Sequence, residues 1–154
     1  MDSEALAAML HKDREEWEAL VALLEAHPDE SLHDPAAPSW TARDVYTHFA
    51  RWIERSTDHL EAELAGRALP PLEGTDDEIN ARWQREDSGL SLAEARERAQ
   101  QAFERRIRAI EAVPAERWDG PLAEIARADG HEHIAAHRRW IVAGDEELLF
   151  RDRR

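Results

Sequence analysis

Residues 67–89, RALPPLEGTDDEINARWQREDSG, form the longest interruption in an otherwise helical pattern, and they decide the topology. The stretch contains a proline pair and then Thr75, where TDDE matches a capping box and predicts a short helix. A connection of this length can run from one end of a helical bundle to the other. The long helices on either side of it are therefore expected to be parallel.

Four long amphipathic helices are predicted around this connection. Their expected extents are Ser3 to about Ala26, Thr41 (the TARD capping box) to Gly66, Ser91 (the SLAE capping box) to about Val113, and about Pro121 to Gly144. Between the first two helices, PDESLHDPAAPS at residues 28–39 breaks the pattern with three prolines. Neither strand-like alternation nor an internal repeat is present. The sequence predicts one all-α domain over residues 1–154, a four-helix bundle in an up-down-down-up arrangement with a long crossover between helices 2 and 3.

Composition excludes several classes of partner and chemistry. The chain has 34 acidic and 20 basic residues and a net charge of −14, so nucleic acid and anionic membrane surfaces are poor partners. The absence of cysteine excludes disulfides, thiolate ligands and a cysteine nucleophile. No apolar run approaches the roughly 20 residues of a membrane span, and the first residues lack the basic lead of a signal peptide. A cytoplasmic location is expected.

Residues 131–137, HEHIAAH, place three histidines at every second position. In a helix, His133 and His137 lie about 40° apart on one face, whereas His131 points about 160° away from His133. Only the pair can share a ligand, and His131 is expected to point outward. Glu132 is expected to be solvated.

The histidine pair belongs to the inward stripe of the predicted fourth helix. Residues within about 40° of His133 are Leu122, Ala126, Asp129, His137 and Trp140. Burying two imidazoles costs about 1–3 kcal/mol per unsatisfied group. A metal ion or hydrogen-bonding carboxylates would supply the missing partners. The alternative is that both are core histidines bonded to side chains such as Asp129.

A third histidine favours the metal hypothesis. His48 lies at the margin of the inward face of the second helix and could reach the pair, giving three nitrogen ligands with open positions for water or substrate. Such a site accepts Zn, Ni, Fe or Mn. His59 shares the face of His48 but lies roughly 16 Å along the helix, which is too far to bind the same ion. His11, His27 and His33 show no pattern of partners.

Two aspartates lie one turn before predicted ligands. Asp44 precedes His48 and Asp129 precedes His133, and either carboxylate could orient a ligand imidazole. The HExxH motif of zinc proteases is absent because Ile134 follows His133. Trp52 and Trp140 are the tryptophans expected to line a pocket beside the histidines.

These segments together resemble the DinB-like (DinB/YfiT) superfamily. The resemblance rests on PSWTARDVYTHFARW at 38–52 and DGHEHIAAHRRWI at 129–141, and EINARWQRE and SLAEARERAQQAFERRIRAIEAVPAERW resemble the middle of its ClbS/DfsB-type branch. Proteins of this superfamily are four-helix bundles that bind a divalent metal through one histidine of helix 2 and an HxxxH pair of helix 4. By position, His48, His133 and His137 match those ligands.

The resemblance implies a metal-dependent enzyme that acts on a small electrophilic molecule. Some members are S-transferases or isomerases that use a low-molecular-weight thiol as cosubstrate, and ClbS-type members are hydrolases that open a strained ring. The alternatives are a non-catalytic protein that binds or sequesters a small molecule, and a remnant of the fold without a site. A homodimer is also predicted, because Met9, Val21 and Ala99 extend the apolar surface beyond a single stripe.

Overall fold

The computed structural model describes residues 1–32 and 39–152, with side chains as far as Ile141. Residues 33–38, which include His33 and half of the proline-rich break after the first helix, lie outside the described residues. The described elements are α1 (Ser3–Ala26), α2 (Ala42–Leu64), α3 (Asp76–Glu86), α4 (Leu92–Glu111), a short 3₁₀ helix (Ala115–Arg117), α5 (Gly120–Arg127) and α6 (His131–Asp152). The described residues contain no strand, which confirms the all-α prediction.

The predicted capping boxes begin helices as expected. Ser91 and Glu94 exchange side-chain and backbone hydrogen bonds at 3.1 Å at the start of α4. The Thr75 hydroxyl accepts the backbone N–H of Glu78 and begins α3, which confirms the short helix in the crossover. Ser3, which the sequence predicts as the cap of the first helix, is instead its first helical residue, and Asp2 is the N-cap. Local hydrogen bonding therefore fixes where the helices begin.

Ion pairs show that α2 and α4 run in the same direction. Arg98 Nε lies 2.9 Å from Glu54, and further along both helices Arg105 Nη2 lies 2.7 Å from Asp58. The residue numbers rise together along the two helices, so α2 and α4 are parallel. The long connection carries the chain back between them, as its length predicts.

The first helix is antiparallel to α2. Near the end of α1, the Tyr46 hydroxyl donates to Glu25 at 2.7 Å, whereas Trp17, earlier in α1, meets Phe49, later in α2, edge to face. The residue numbers therefore run in opposite directions along the two helices.

The last long helix is parallel to α1. Its first residue, His131, lies against Asp13, and Arg138 lies 2.8 Å from Glu16 further along both helices. With α2 and α4 parallel to each other and α1 antiparallel to α2, the bundle is up-down-down-up. The predicted topology is confirmed.

The prediction of one continuous fourth helix is wrong. Residues 128–130 separate α5 from α6, and Asp129 has a positive φ of 57°. Aspartate tolerates this left-handed conformation better than most residues do, and the following Gly130 is buried. The left-handed residue therefore interrupts the helix two positions before α6 begins.

The core is continuous across the bundle. Trp17 stacks on Phe103 with ring centroids 4.9 Å apart, and both rings belong to one buried cluster that includes fully buried leucine and isoleucine side chains. Met9 and Ala99 are also buried within the chain, so they do not provide apolar surface for a second copy to bind. The homodimer stays a prediction. No described helix is long and apolar enough to cross a membrane.

Candidate metal centre

Three histidines from two helices converge on one point. His48 lies on α2, and His133 and His137 lie one turn apart on α6. One nitrogen from each ring can be chosen so that all three lie within 4.8 Å of one another. The ring centroids of His48 and His137 are 4.7 Å apart, and those of His133 and His137 are 4.9 Å apart. The structure therefore brings together the three residues that the sequence singled out.

His48 is the most deeply placed of the three rings. It is 5% exposed, and its Nε2 is buried without a hydrogen-bond partner among the described residues. Burial lowers the pKa of His48 well below its ordinary value, nearby His137 and His133 lower it further, and a hydrogen bond with Asn80 partly offsets them. The ring is neutral at pH 7, the form in which imidazole binds a metal. A buried neutral ring with an orphaned nitrogen fits a metal ligand.

Asp129 lies beside His133 as predicted, but it belongs to the break between α5 and α6 and not to a helix. Asp129 Oδ1 is 3.1 Å from His133 Nδ1, although the two atoms are not aligned as a hydrogen bond. The Ser56 hydroxyl of α2 donates to the other carboxylate oxygen. The carboxylate thus sits in the break between α5 and α6, tied to α2, and not one turn earlier in the same helix.

Asp44 has another role than the one predicted for it. Its Oδ2 accepts the backbone N–H of Thr41 at 3.0 Å, which closes the capping box of α2, and its Oδ1 pairs with Arg43. These interactions engage both carboxylate oxygens. Asp44 therefore holds the start of the helix that carries His48 and does not orient the ring itself.

His131 does not point outward. Its Nδ1 lies 2.8 Å from Asp13 Oδ1, and its backbone N–H donates to the same oxygen at 2.9 Å. Asp13 is fully buried on α1, and its other oxygen accepts a hydrogen bond from Arg106 at 3.0 Å. The outward prediction is wrong because a ring that faces away from His133 meets α1 instead of solvent.

Arg106 connects this buried cluster to the break before α6. Its guanidinium donates to the backbone carbonyls of Ala128 at 2.9 Å and Ala126 at 2.6 Å, besides pairing with Asp13. A Cβ on Gly130 would lie 2.7 Å from the same guanidinium. The cluster of Asp13, Arg106 and His131 therefore holds the backbone that presents Asp129 and His133.

A cavity of about 570 Å³ opens beside the three histidines. Trp52 and Trp140 line it, as predicted, and so does Trp40. Trp40 packs on His48 and Trp140 on His137, each with ring centroids 5.0 Å apart. The size of the cavity suits a small organic molecule rather than a polymer.

Helix α3 forms a wall of the cavity that was not predicted. Trp52 donates its indole N–H to Asn80 at 2.7 Å, and Gln84 follows one turn later on the same face. The polar spacing of Asn80 and Gln84 at i and i+4 was a signal for such a face. It could not be interpreted without knowing that the crossover folds back against α2.

The remaining candidates lie away from the site. His59 and Glu132 are exposed, in agreement with their predicted places. His11 is exposed beside Glu15, and His27 lies 3.0 Å from Glu30. None of them lines the cavity beside the three histidines.

Comparison with known families agrees with the fold. The profile of the DinB superfamily matches residues 12–142, a span that contains all three converging histidines. The chain belongs to the DinB superfamily. No curated protein and no solved structure gives a significant match.

Proposed function

We propose that this protein is a divalent-metal-dependent enzyme that acts on a small electrophilic molecule. The observation that carries the proposal is the convergence of three imidazoles at the wall of a 570 Å³ cavity, where His48 and His133 each have a buried nitrogen without a hydrogen-bond partner among the described residues. Three nitrogen donors without thiolate suit Zn, Ni, Fe or Mn. Membership of the DinB superfamily supports metal binding at this place.

The side chains around the site have distinct roles in this proposal. His48, His133 and His137 would hold the ion, and Asp129 would fix the ring of His133. A divalent ion held there would lower the pKa of water or of a thiol and so supply a nucleophile near neutral pH. Phe49 packs against both His133 and His137 and keeps the inner side of the site apolar.

The reaction is either thiol S-transfer or hydrolysis of the ClbS type. Because the chain has no cysteine, a transferred thiol has to come from a low-molecular-weight cosubstrate. The ClbS-type pattern carries an aromatic residue and a glutamate at positions that are Ile134 and Ala136 here. Ile134 is fully buried in the core, so its side chain does not line the cavity. The missing glutamate favours S-transfer over ring opening.

A turnover assay tests this proposal. Untagged protein loaded in turn with Zn, Ni, Fe and Mn would be mixed with low-molecular-weight thiols and electrophilic acceptors, and then with strained-ring and ester substrates. We expect turnover with at least one metal, loss of turnover in His137→Ala, and wild-type rates in His59→Ala, which removes an exposed histidine of α2. A metal-loaded protein that turns over nothing in either substrate set contradicts the enzyme.

The second candidate is a protein that binds a small molecule without turnover. The three tryptophans at the cavity favour it, because broad aromatic walls bind organic molecules without any chemistry. In a binder, Trp52→Ala or Trp140→Ala would weaken ligand binding more than His137→Ala does. In the enzyme, the histidine substitution would abolish turnover while ligand binding is retained.

A further inference from the structure

The wall of the cavity that α3 provides is rich in hydrogen-bond acceptors. Asp76, Asp77, Asn80, Ala81 and Gln84 line the cavity from successive turns of one helix face, which spans about 12 Å along the axis. Asn80 already accepts the indole N–H of Trp52 through its oxygen. The face therefore presents two carboxylates at one end and an amide at the other.

The carboxylates of Asp76 and Asp77 have no cationic partner among the described residues. Both are exposed, and neither forms an ion pair with any residue that the structure describes. The capping of α3 is carried out by Thr75 and Glu78, so it does not engage these two side chains. Among the described residues that line the cavity there is no lysine or arginine, whereas Asp129 adds a third carboxylate.

The side-chain oxygen of Gln84 is a hydrogen-bond acceptor that is held in place and has no donor among the described residues. Its Nε2 donates to the Asp44 carbonyl at 3.1 Å and lies 3.3 Å from Thr47 Oγ1, which fixes which end of the amide is the oxygen. Its Oε1 is buried and has no hydrogen-bond partner among the described residues. A buried acceptor left in this state costs free energy, and a ligand donor that reached it from the cavity would remove that cost.

Aromatic rings complete the lining. Trp40 and Trp140 lie against His48 and His137, and Trp52 is held by its bond to Asn80. Indole faces attract ammonium groups, and the attraction grows when the cation is partly removed from water. Acceptors, unpaired carboxylates and indoles in one cavity all favour the same kind of ligand group.

We propose that the substrate of this cavity is an organic cation, a small molecule with an amine that is protonated at neutral pH. The inference rests on the proposed function, because it takes the histidine-lined cavity as the substrate site. His48 is 5% exposed there, and its Nε2, which has no hydrogen-bond partner among the described residues, already indicates that the site binds a ligand. Glutathione carries one ammonium but two carboxylates, so its net charge is negative and the carboxylates of Asp76 and Asp77 disfavour it as the thiol. A neutral thiol suits the lining better.

Three size-matched probes test the charge preference on the full-length protein. The probes 2-phenylethylammonium, 2-phenylethanol and phenylacetate would be titrated by calorimetry at low ionic strength, with metal-loaded and metal-free samples. In the metal-free samples we expect the ammonium to bind at least about tenfold more tightly than the alcohol and phenylacetate to bind most weakly. Equal affinity of the metal-free protein for the ammonium and the alcohol, or tightest binding of phenylacetate to it, overturns the proposal.

Two double variants that remove the same charge test whether Asp76 and Asp77 cause the preference for the ammonium. Asp76→Asn with Asp77→Asn should reduce the preference for the ammonium by about fivefold or more. Glu97→Gln with Glu104→Gln removes the same charge from exposed positions of α4 outside the cavity and should leave the preference unchanged. An unchanged preference in the aspartate variant, with its helical content retained, overturns the proposal.

The metal content of each sample separates this inference from the proposed function. A protein that binds metal but shows no charge preference contradicts the cationic substrate alone. A protein that never binds metal contradicts the enzyme, whereas the preference for the ammonium in the metal-free cavity still supports the cationic ligand.

Discussion

At the scale of residues, two aspartates with the same sequence relation to a histidine have different roles. Asp44 and Asp129 each precede a converging histidine by four positions, and helical spacing alone could not distinguish them. The structure does so through their other contacts, since Asp44 is engaged by Thr41 and Asp129 by Ser56. A carboxylate at the start of a helix is used for capping before it is available to a neighbouring ring.

This difference predicts two separate effects of substitution. Asp129→Asn should weaken metal binding by about 10–100-fold, because it removes the charge beside His133. Asp44→Ala should leave metal affinity nearly unchanged and lower the free energy of unfolding by about 0.5–2 kcal/mol through loss of the capping box. Metal titration and urea denaturation of both variants measure the two effects. Weaker metal binding in Asp44→Ala, with unchanged metal binding in Asp129→Asn, would contradict these roles.

His131 could not be interpreted from the sequence because its partner is remote. Asp13 lies 118 positions away, and no local pattern connects the two. The helical spacing correctly separated His131 from the pair formed by His133 and His137. It could not show that the opposite side of the helix faces α1, because that depends on the packing of the whole bundle.

The contact with Asp13 predicts that His131→Ala destabilises the fold. Removing the imidazole leaves a buried carboxylate with one partner fewer, at a cost of about 1–3 kcal/mol. Urea denaturation measures it, with His59→Ala, an exposed histidine of α2, as the control that should unfold like wild type. Equal stability of the two variants would show that the contact with Asp13 contributes nothing.

At the scale of elements, capping signals were informative, whereas the break between α5 and α6 was missed. Thr41, Thr75 and Ser91 each precede a helix because the side chains that satisfy the first backbone N–H groups are local. The break has a local signal too, the Asp129–Gly130 dipeptide, which is typical of turns. The apolar stripe continues in register through it, and this continuity concealed the break.

Gly130 is predicted to be irreplaceable in this break. A Cβ there would lie 2.7 Å from Arg106 Nη2 and 3.0 Å from Asp13 Oδ1, so Gly130→Ala should force the buried ion pair apart. We expect a loss of about 1–3 kcal/mol in the free energy of unfolding and weaker metal binding through displacement of His133. Gly89→Ala is the matched control, since a Cβ there meets nothing within 4 Å. A stable Gly130→Ala variant with full metal affinity would contradict this account of the break.

At the scale of the whole molecule, the length of the crossover was enough to predict the topology. A chain segment that long permits parallel neighbours, and the ion pairs between α2 and α4 confirm that direction. The sequence could not show that α3 folds back to form a cavity wall. That placement depends on contacts such as Trp52 with Asn80, which join distant segments.

Metal binding should stabilise the whole bundle. An ion held by α2 and α6 binds the folded chain but not the unfolded one, so saturation at about 100 times Kd should raise Tm by about 5–10 °C. Chelation should reverse the increase, and His137→Ala should show no metal-dependent shift. Differential scanning calorimetry with and without each metal measures the effect. A shift of equal size in His137→Ala would place the ion elsewhere.

The metal content per chain tests the central claim most directly. Elemental analysis by mass spectrometry would be performed on untagged wild-type protein after reconstitution and removal of excess metal, and on His48→Ala, His133→Ala, His137→Ala and the control His59→Ala. We predict close to one divalent ion per chain in the wild type and in His59→Ala, and almost none in the other three. A stoichiometry near zero in the wild type, or one ion retained in all three substituted proteins, would contradict a metal centre formed by these histidines.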